Sequence, residues 1–361
     1  MLYRVAVTLI PGIGDVLAKN LISSCGGAKE VFQKKKGFLY RIPGIGWKLA
    51  DAVTSFRDFK RAEKELDFIE RHRIRTFYYL DEDYPRRLSP LHDSPALLYF
   101  LGNSTLEAKR IIGIIGTRKA TSYGKNFIDE LIEGLTGTGY LIISGLAYGI
   151  DIHAHRVALN HQIPTVGILG HGLDRIYPSP HRHTAQKMME KGGLLTDFTS
   201  GTNPDRENFP RRNRIVAGLC DVLVVVETGI SGGSMITAEI ANSYNKEIMA
   251  LPGKVNELTS AGCNFLIKKN KAALLTSATD LLEWMNWDKK KKEAEQRPLD
   301  FPTDELSGKI LEMLNNAPKT ALDDIAFSLQ LDPGTLSLRL LELELRNIIR
   351  TLPGKYYELV K

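Results

Sequence analysis

Short apolar runs alternate with amphipathic helical stretches along most of residues 95–284. In chain order the runs are ALLYF, RIIGII, YLIIS, PTVGIL, GLLTD, DVLVVV, EIMALP and AALLT. Each run is almost continuously apolar, which is typical of parallel strands that are buried on both faces and joined by crossover helices. The pattern predicts an α/β fold whose core, residues 77–288, is an extended Rossmann-like, doubly wound parallel sheet.

The front of the chain contains an internal repeat. The string Ile-Pro-Gly-Ile-Gly occurs at Ile10–Gly14 and again at Ile42–Gly46, and the helical stretches LAKNLI and KLADAV follow the two copies. The pattern resembles paired helix-hairpin-helix motifs, in which glycines leave the backbone N–H groups at a helix start free to receive phosphate oxygens. We therefore predict a SAM-like helical domain over residues 1–76.

The basic residues of this front part are possible additional DNA contacts, namely Lys34, Lys35 and Lys48. The alternative is that the hairpins only build a small helical domain and that the lysines are a solvated face. Residues 1–75 hold 15 Lys and Arg against 8 Asp and Glu, while the whole chain has a net charge of +6. A polyanion is therefore attracted mainly by the front half of the chain.

The end of the chain has a different sequence pattern. Lys289–Glu295 is a charge run followed by Arg297-Pro298, which predicts an exposed linker over residues 289–302. Residues 303–361 are predicted as a winged-helix domain, because three helical stretches precede a polar hairpin. The outward positions of its third helix are balanced in charge, which favours protein contact or packing over the reading of a DNA duplex. These positions are Ser337, Arg339, Glu342, Glu344 and Arg346.

Cysteine usage and hydropathy point to one compartment. Cys25, Cys220 and Cys263 lie far apart and form no CxxC pair. Such spacing suits small buried residues in a reducing compartment and argues against a thiolate zinc site. No apolar run approaches the roughly 18 residues of a membrane span. We therefore expect a cytoplasmic protein that does not act at a membrane.

Three strand-to-helix turns combine glycine with hydroxyl or cationic residues. Ligands of open parallel sheets bind at the carboxyl ends of the strands, and such turns make anion sites at helix starts. Three of them in one sheet predict an extended anionic ligand. The residues are Gly116, Thr117, Arg118, Lys119 and Ser122 after RIIGII, Ser144 and Gly145 at the end of YLIIS, and Ser231, Gly232, Gly233 and Ser234 after DVLVVV.

A fourth loop, DFTSGTNPDRENFPRRNRIVAGLCD, is too long and too charged to be a simple connection. It delivers Phe209, Arg211, Arg212, Asn213 and Arg214. An aromatic ring beside guanidinium groups provides stacking and phosphate contacts, the combination that single-stranded nucleic acids require. Two alternatives stay open: the phenylalanine can belong to the core, and the last arginine can form an internal ion pair.

The motifs GTR at Gly116–Arg118, SGLAYGIDIHAH at Ser144–His155, FPRRNRIVAGL at Phe209–Leu219 and GGSMITAE at Gly232–Glu239 resemble those of the DprA/Smf family, in the same order. The resemblance implies single-stranded DNA binding, homodimerisation through the Rossmann domain and loading of the RecA recombinase in natural transformation. We expect no catalysis, because the residues that enzymes on similar folds require are missing. The segment SAGCNFLIKKNKAALL departs from the family pattern. Its lysines, Lys268 and Lys269, are possible contacts that lengthen the DNA path.

The competing interpretation is a nucleotide or nucleoside-phosphate hydrolase on a Rossmann-like fold. Related phosphoribohydrolases carry Pro-Gly-Gly-x-Gly-Thr-x-x-Glu, whereas this chain has GISGGSMITAE. Neither GxxxxGK[ST] nor GxGxxG occurs, so no nucleotide cofactor is expected. The pairs His153-x-His155 and His181-x-His183 are poorly spaced for metal binding on a helix, and no metal is expected either.

Overall fold

The structure is a computed structural model that describes residues 1–135, 139–287, 305–317, 319–346 and 348–360. It divides into two compact units, Met1–Trp287 and Asp288–Lys361, which are described separately below. The predicted linker, residues 289–302, lies outside the described residues.

The first unit begins with a helical part, residues 1–71. Its helices are α1 (Leu2–Thr8), α2 (Asp15–Cys25), α3 (Ala28–Val31), α4 (Lys36–Leu39), α5 (Trp47–Ser55) and α6 (Phe59–Arg71). The two Ile-Pro-Gly-Ile-Gly copies lie immediately before α2 and α5, so the predicted helices after the hairpins are confirmed. In both copies the last glycine is the extended residue that precedes the first helical turn.

The rest of the unit is built on a large sheet. Among the described residues it has nine strands in the order β1-β2-β6-β5-β4-β3-β7-β8-β9. The strands are β1 (Arg75–Tyr78), β2 (Leu97–Gly102), β3 (Arg110–Gly116), β4 (Tyr140–Ser144), β5 (Thr165–Ile168), β6 (Gly193–Thr196), β7 (Val222–Val226), β8 (Glu247–Ala250) and β9 (Ala273–Leu274). From β6 to β9 all neighbouring strands are parallel, which confirms the predicted parallel core.

One strand differs from the prediction. The run ALLYF was expected to join the parallel set, but β2 pairs antiparallel with both β1 and β6. β2 lies next to β6, with three strands between it and β3. Residues 103–109 lead from β2 to β3 without a helix, so the chain enters the parallel set only at β3.

Helices cover both faces of the sheet, as the doubly wound prediction requires. They are α7 (Ser122–Gly134), α8 (Ile150–Asn160), α9 (Arg182–Lys191), α10 (Asn208–Leu219), α11 (Gly233–Ser243), α12 (Ala261–Lys268) and α13 (Ala278–Trp284). Apolar side chains of α7, α8 and α13 form one core cluster with the sheet, and those of α10, α11 and α12 form another with alternate strand positions. The three cysteines are buried and free, as predicted.

The helical part packs on the antiparallel edge of the sheet. Tyr78, Leu97 and Tyr99 of β1 and β2 share one apolar cluster with helices α1, α2, α5 and α6. Glu65 of α6 is buried, and its carboxylate accepts a hydrogen bond of 2.9 Å from the backbone N–H of Ser200. The helical part and the sheet are thus held by a common core and by buried polar contacts.

The second unit has the predicted winged-helix elements. Its helices are Glu305–Asn316, Leu322–Leu329 and Pro333–Leu345, and its strands are Thr320–Ala321, Ile349–Leu352 and Tyr356–Leu359. The last two strands form the antiparallel wing. On the third helix, Arg339 pairs with Glu342 at 2.7 Å, while Leu338, Leu341 and Leu345 are exposed.

None of the described helices combines the length and the apolar character that crossing a bilayer requires.

Candidate functional site

The carboxyl ends of β3 to β7 meet at one edge of the sheet, because these strands are parallel. Helices α7, α8 and α11 begin at this edge, after β3, β4 and β7. From β3 the chain continues to β4 on one side, and it later returns to β7 on the other side of β3. This change of direction creates the crevice where doubly wound sheets bind ligands.

The turn after β3 is closed by a carboxylate. The backbone N–H of Thr121 donates to Glu227 at 2.9 Å, and the Thr121 hydroxyl donates to the same carboxylate. This group occupies the start of α7, where the sequence suggested that an anion of the ligand is received. A Cβ atom on Gly116 would lie 1.9 Å from the carbonyl oxygen of Val226, so this glycine serves close packing.

The other residues predicted for this turn are either exposed or hydrogen-bonded to the neighbouring helix. Thr117 is half-buried, and its carbonyl accepts from the N–H of Ile150 at 3.1 Å. Arg118, Lys119 and Ser122 are exposed. The two cations are therefore available to a ligand, whereas the turn itself is fixed by α8.

The turn after β4 covers a buried polar cluster. Ser144 is fully buried and donates to the carbonyl of Ile114. Next to it, a Cβ on Gly145 would lie 2.2 Å from Nη1 of Arg212 and 2.4 Å from a carboxylate oxygen of Asp151. Burial raises the pKa of Asp151 to about 6, although the nearby Arg212 opposes this shift.

His155 completes the cluster. Its Nε2–H donates to the carbonyl of Gly145 at 2.6 Å, and Nδ1 lies 2.7 Å from the hydroxyl oxygen of Thr165. Burial lowers the pKa of His155 to about 4, so the ring is neutral at physiological pH. The histidine is a structural group that holds the Gly145 turn.

The turn after β7 is shaped by its own residues. Ser231 and Gly233 are exposed, and the space around a Cβ on Gly233 is open. A Cβ on Gly232 would lie 2.4 Å from the Thr228 hydroxyl oxygen. Ser234 is buried and donates to the carbonyl of Gly116 at 2.9 Å, which ties this turn to the end of β3.

The fourth loop leads into α10, which separates its predicted site residues. Phe209 and Asn213 are half-buried, and Arg211 is exposed. Arg212 is buried and donates from Nη1 to the carbonyl of Ile168 at 2.6 Å. Burial lowers the pKa of Arg212, and Asp151 opposes this effect.

Arg214 forms an internal ion pair, which is the alternative to a DNA contact that the sequence allowed. Its Nη2 lies 2.6 Å from a carboxylate oxygen of Asp15 and 2.7 Å from one of Asp197. Burial by itself lowers its pKa, but the two carboxylates outweigh burial and raise it. The guanidinium thus joins α2 of the helical part to the sheet.

A pocket of about 90 Å³ opens at the carboxyl edge between these elements. The Cζ atom of Arg118 lies 5.7 Å from the ring centroid of Phe209, and the rings of Phe209 and Tyr177 are 6.3 Å apart at 35°. The residues that line the pocket are Arg118, Leu146, Ala147, Tyr148, Ile168, Leu169, Gly170, His171, Tyr177, Pro178, Phe209 and Arg212.

One buried polar atom of the lining is unsatisfied. Nε of Arg212 has no hydrogen-bond partner among the described residues. Nδ1–H of His171 donates to the carbonyl of Gly172 at 2.9 Å, and burial lowers the pKa of His171 against the backbone contacts at Gly172 and Tyr177. Buried polar groups are normally paired. The pocket therefore offers one guanidinium donor to a ligand.

Sequence reasoning missed the loop after β5, which supplies Gly170, His171, Tyr177 and Pro178 to the pocket. The run PTVGIL predicts the strand β5, but no site residue was predicted in the loop that follows this strand. The signal was available, because Gly-His-Gly follows a central strand at the ligand-binding edge. Tyr148, two residues before the start of α8, was missed as well.

The predicted lysines do not gather at the pocket lining. Lys34, Lys35 and Lys48 belong to the helical part. Lys268 and Lys269 are exposed at the carboxyl end of α12, which runs from the ligand-binding edge back to the start of β9. Arg211 instead faces the first hairpin, since it lines a groove with residues 12–17.

Within the described part of the chain, no cluster of three His, Cys, Asp or Glu side chains could hold a metal ion. Of the histidine pairs, His153 lies 2.9 Å from Asp129, and His181 donates to the carbonyl of Leu146 at 2.8 Å.

Comparisons with known proteins agree over most of the chain. A family model described as DNA recombination-mediator protein A matches residues 75–286, and one described as the DprA winged helix domain matches residues 293–355. Protein Smf of Synechocystis sp. is 30% identical over 394 residues, covering 99% of this chain and 98% of the relative.

Two solved structures are similar as well. The X-ray structure of DNA processing protein A from Streptococcus pneumoniae matches with a TM-score of 0.68 and 28% identity, covering 78% of this chain and 97% of that one. A structure of DNA processing protein A from Helicobacter pylori, described for its single-stranded DNA binding mode, matches with a TM-score of 0.54 and 31% identity, covering 60% and 96%.

Proposed function

The chain belongs to the DNA recombination-mediator protein A family, and from that premise we propose that it binds single-stranded DNA in the pocket at the carboxyl edge of its sheet. One observation carries the proposal: an exposed guanidinium, Arg118, lies beside an aromatic ring, Phe209, over a pocket with an unpaired donor. Single strands are held by cations on the phosphates and by rings on the bases.

The pocket favours a nucleotide over a bare phosphate. Phe209 and Tyr177 provide ring surfaces, and Nε of Arg212 provides a donor for a base edge. The start of α7, a usual phosphate site, holds the Glu227 carboxylate instead. We therefore place the phosphate at Arg118, on the exposed rim of the pocket, and a base against the rings.

The proposed role is the processing of incoming DNA in transformation. A relative named DNA processing protein DprA occurs in Streptococcus pneumoniae and is 36% identical over 207 residues. We propose that this chain acts in the cytoplasm, protects single strands and loads the RecA recombinase, and that it does so as a homodimer joined through the Rossmann domain. These finer steps rest on the family resemblance, and light scattering and a RecA filament assay test them separately.

We propose a binding protein without catalysis. Asp151 and His155 lie one helical turn apart on α8, but they do not form a reactive acid–base pair, because Nε2–H of His155 is committed to the carbonyl of Gly145. The neighbouring hydroxyl, Ser144, is buried and donates to Ile114. Incubation with nucleoside monophosphates should release neither base nor phosphate, and turnover would favour the hydrolase.

Fluorescence anisotropy with labelled oligo-dT, a duplex of equal length and RNA tests the proposal. We expect oligo-dT to bind most tightly and Phe209→Ala to weaken that binding. Phe68→Ala, which removes a ring from α6 outside the pocket, is the control for loss of an aromatic side chain. Equal binding of the duplex and oligo-dT, or equal affinity of parent and Phe209→Ala, would contradict the proposed site.

A further inference from the structure

The two hairpin copies are related by reciprocal packing. A Cβ on Gly12 would lie 3.0 Å from Leu49, and a Cβ on Gly44 would lie 2.9 Å from Leu17. Each glycine has a positive φ, and each leucine is the third residue of the helix that follows the opposite hairpin. The repeat therefore forms a symmetric pair, in which equivalent positions can be compared directly.

The first residue of the helix after each hairpin has a different environment in the two copies. In the first copy it is Asp15, which pairs with Arg214 and accepts a hydrogen bond of 2.9 Å from the N–H of Ala96. In the second copy it is Trp47, which is 59% exposed. One copy docks on the sheet, and the other presents a large ring to solvent.

The surroundings of Trp47 are aromatic and basic. The ring of Tyr40, which is 53% exposed, lies 5.5 Å from that of Trp47 at an interplanar angle of 76°. Nζ of Lys36 lies 4.3 Å from the Trp47 ring centroid and 2.6 Å from a carboxylate oxygen of Asp51. The exposed Lys48 follows on the same helix.

The wider segment has the same charge sign. Residues 34–57 contain six Lys and Arg against one acidic residue. Exposed aromatic rings within such a positive surface suit a partner that is both anionic and rich in π-faces, which describes unpaired nucleotides. A duplex hides its base faces, and an anionic protein surface does not supply stacking partners at regular spacing.

We propose that Tyr40, Trp47, Lys36 and Lys48 form a second contact for single-stranded nucleic acid, the hairpin platform, on which bases stack while the lysines hold phosphates. The platform rests on the proposed function, since it extends the strand that the pocket binds. It gives the exposed copy of the repeat a role that the docked copy cannot have, because Asp15 is committed to Arg214.

Intrinsic fluorescence tests the platform directly. The chain has three tryptophans, so the variant Trp284→Phe/Trp287→Phe leaves Trp47 as the reporter. Titration with oligo-dT of about 30 nucleotides, longer than one site of roughly 4–16 nucleotides, should quench Trp47 to saturation. Binding seen by anisotropy in the same titration without any change in Trp47 emission would overturn the platform. Quenching by anionic vesicles but not by oligo-dT would overturn it too.

Affinity provides the second measurement, in the otherwise unaltered chain. Trp47→Ala should weaken binding of the same oligonucleotide on the order of tenfold, the effect of one lost stacking contact. Trp47→Phe should retain most of the affinity. Trp284→Ala removes an equally exposed ring, at 57%, from α13 and should change nothing. Equal affinity of Trp47→Ala and parent would overturn the platform.

The outcomes separate this proposal from the proposed function. If the parent chain binds no oligo-dT at all, the proposed function itself is wrong. If the parent binds, Phe209→Ala weakens binding and Trp47→Ala does not, the pocket stands and the platform is wrong.

Discussion

The Cζ atom of Arg118 lies 5.7 Å from the ring centroid of Phe209, although the two residues belong to segments that follow different strands. Arg118 comes from the turn after β3, and Phe209 from α10, which follows β6. Within the part of the chain that the structure describes, Arg118 forms no ion pair. Charge and ring are thus adjacent, and their contributions to binding can be separated.

Arg118→Ala should weaken binding of single strands of every sequence. Loss of one phosphate contact should make the slope of log K against log salt shallower by about 0.7. Arg118→Lys should keep the slope but recover only part of the affinity, because lysine lacks the bidentate fork. Anisotropy titrations at several salt concentrations measure both quantities. Arg86→Ala, an exposed arginine outside the pocket, is the control. An unchanged slope in Arg118→Ala would place the phosphate elsewhere.

Phe209→Ala should weaken binding without changing its salt dependence. A lost stacking contact costs on the order of 1–3 kcal/mol per base and releases no counterions. We therefore expect weaker binding with the salt slope of the parent, measured in the same titrations. A variant whose slope falls as in Arg118→Ala would show that the ring acts by holding the arginine rather than by stacking.

Arg214→Ala should be a stability variant. The guanidinium pairs with Asp15 and with Asp197, whose side chain is 2% exposed. Removing one partner of a buried ion pair leaves an uncompensated charge and costs about 3–5 kcal/mol. Urea unfolding should show this loss, whereas Arg118→Ala should unfold like the parent. Parent-like stability of Arg214→Ala would mean that the helical part is not held by this pair.

The contrast between Arg118 and Arg214 shows what the sequence can predict. The parallel strands follow from local apolar runs, and the position of the ligand edge follows from strand direction. The antiparallel direction of β2 does not, because a hydrophobic run is the same in either direction. One of the two partners of Arg214, Asp15, lies 199 residues away, so the sequence alone could not separate an internal ion pair from a DNA contact. The unpaired Nε of Arg212 likewise depends on tertiary packing.

His155 should make the protein sensitive to acid. Burial lowers its pKa from 6.5 to about 4 in the folded chain. The folded state therefore resists a proton that the unfolded state accepts, so stability is fully present above pH 6.5 and is lost as the pH falls towards 4. The loss attributable to this group is at most about 3 kcal/mol. His155→Gln should show a smaller decline between pH 7 and 5 in urea unfolding.

Asp151 should act in the other direction. Its pKa is raised to about 6, so protonation favours the folded state and stability from this group increases as the pH falls from about 6. Asp151→Asn removes that compensation, and its stability should decline more steeply with acid than that of the parent. Parallel pH profiles for parent, His155→Gln and Asp151→Asn would show that neither group carries the shift.

Gly145→Ala and Gly233→Ala form a matched pair at two turns of the same edge. A Cβ on Gly145 would lie 2.2 Å from Nη1 of Arg212, which cannot move freely because it donates to Ile168 at 2.6 Å. Overpacking of this kind costs about 1–3 kcal/mol, and the displaced arginine should also weaken single-strand binding. At Gly233 the space is open, and alanine at this helix start should be neutral or stabilise by up to about 1 kcal/mol.

Urea unfolding and anisotropy on the two variants measure stability and affinity side by side. We expect Gly145→Ala to lose both and Gly233→Ala to lose neither, because only the first substitution reaches the buried arginine that lines the pocket. If Gly145→Ala lost stability while keeping full affinity, the position of Arg212 would matter for folding alone, and the unpaired Nε would not contribute to the ligand. If Gly233→Ala lost affinity, the strand would pass over the start of α11 instead.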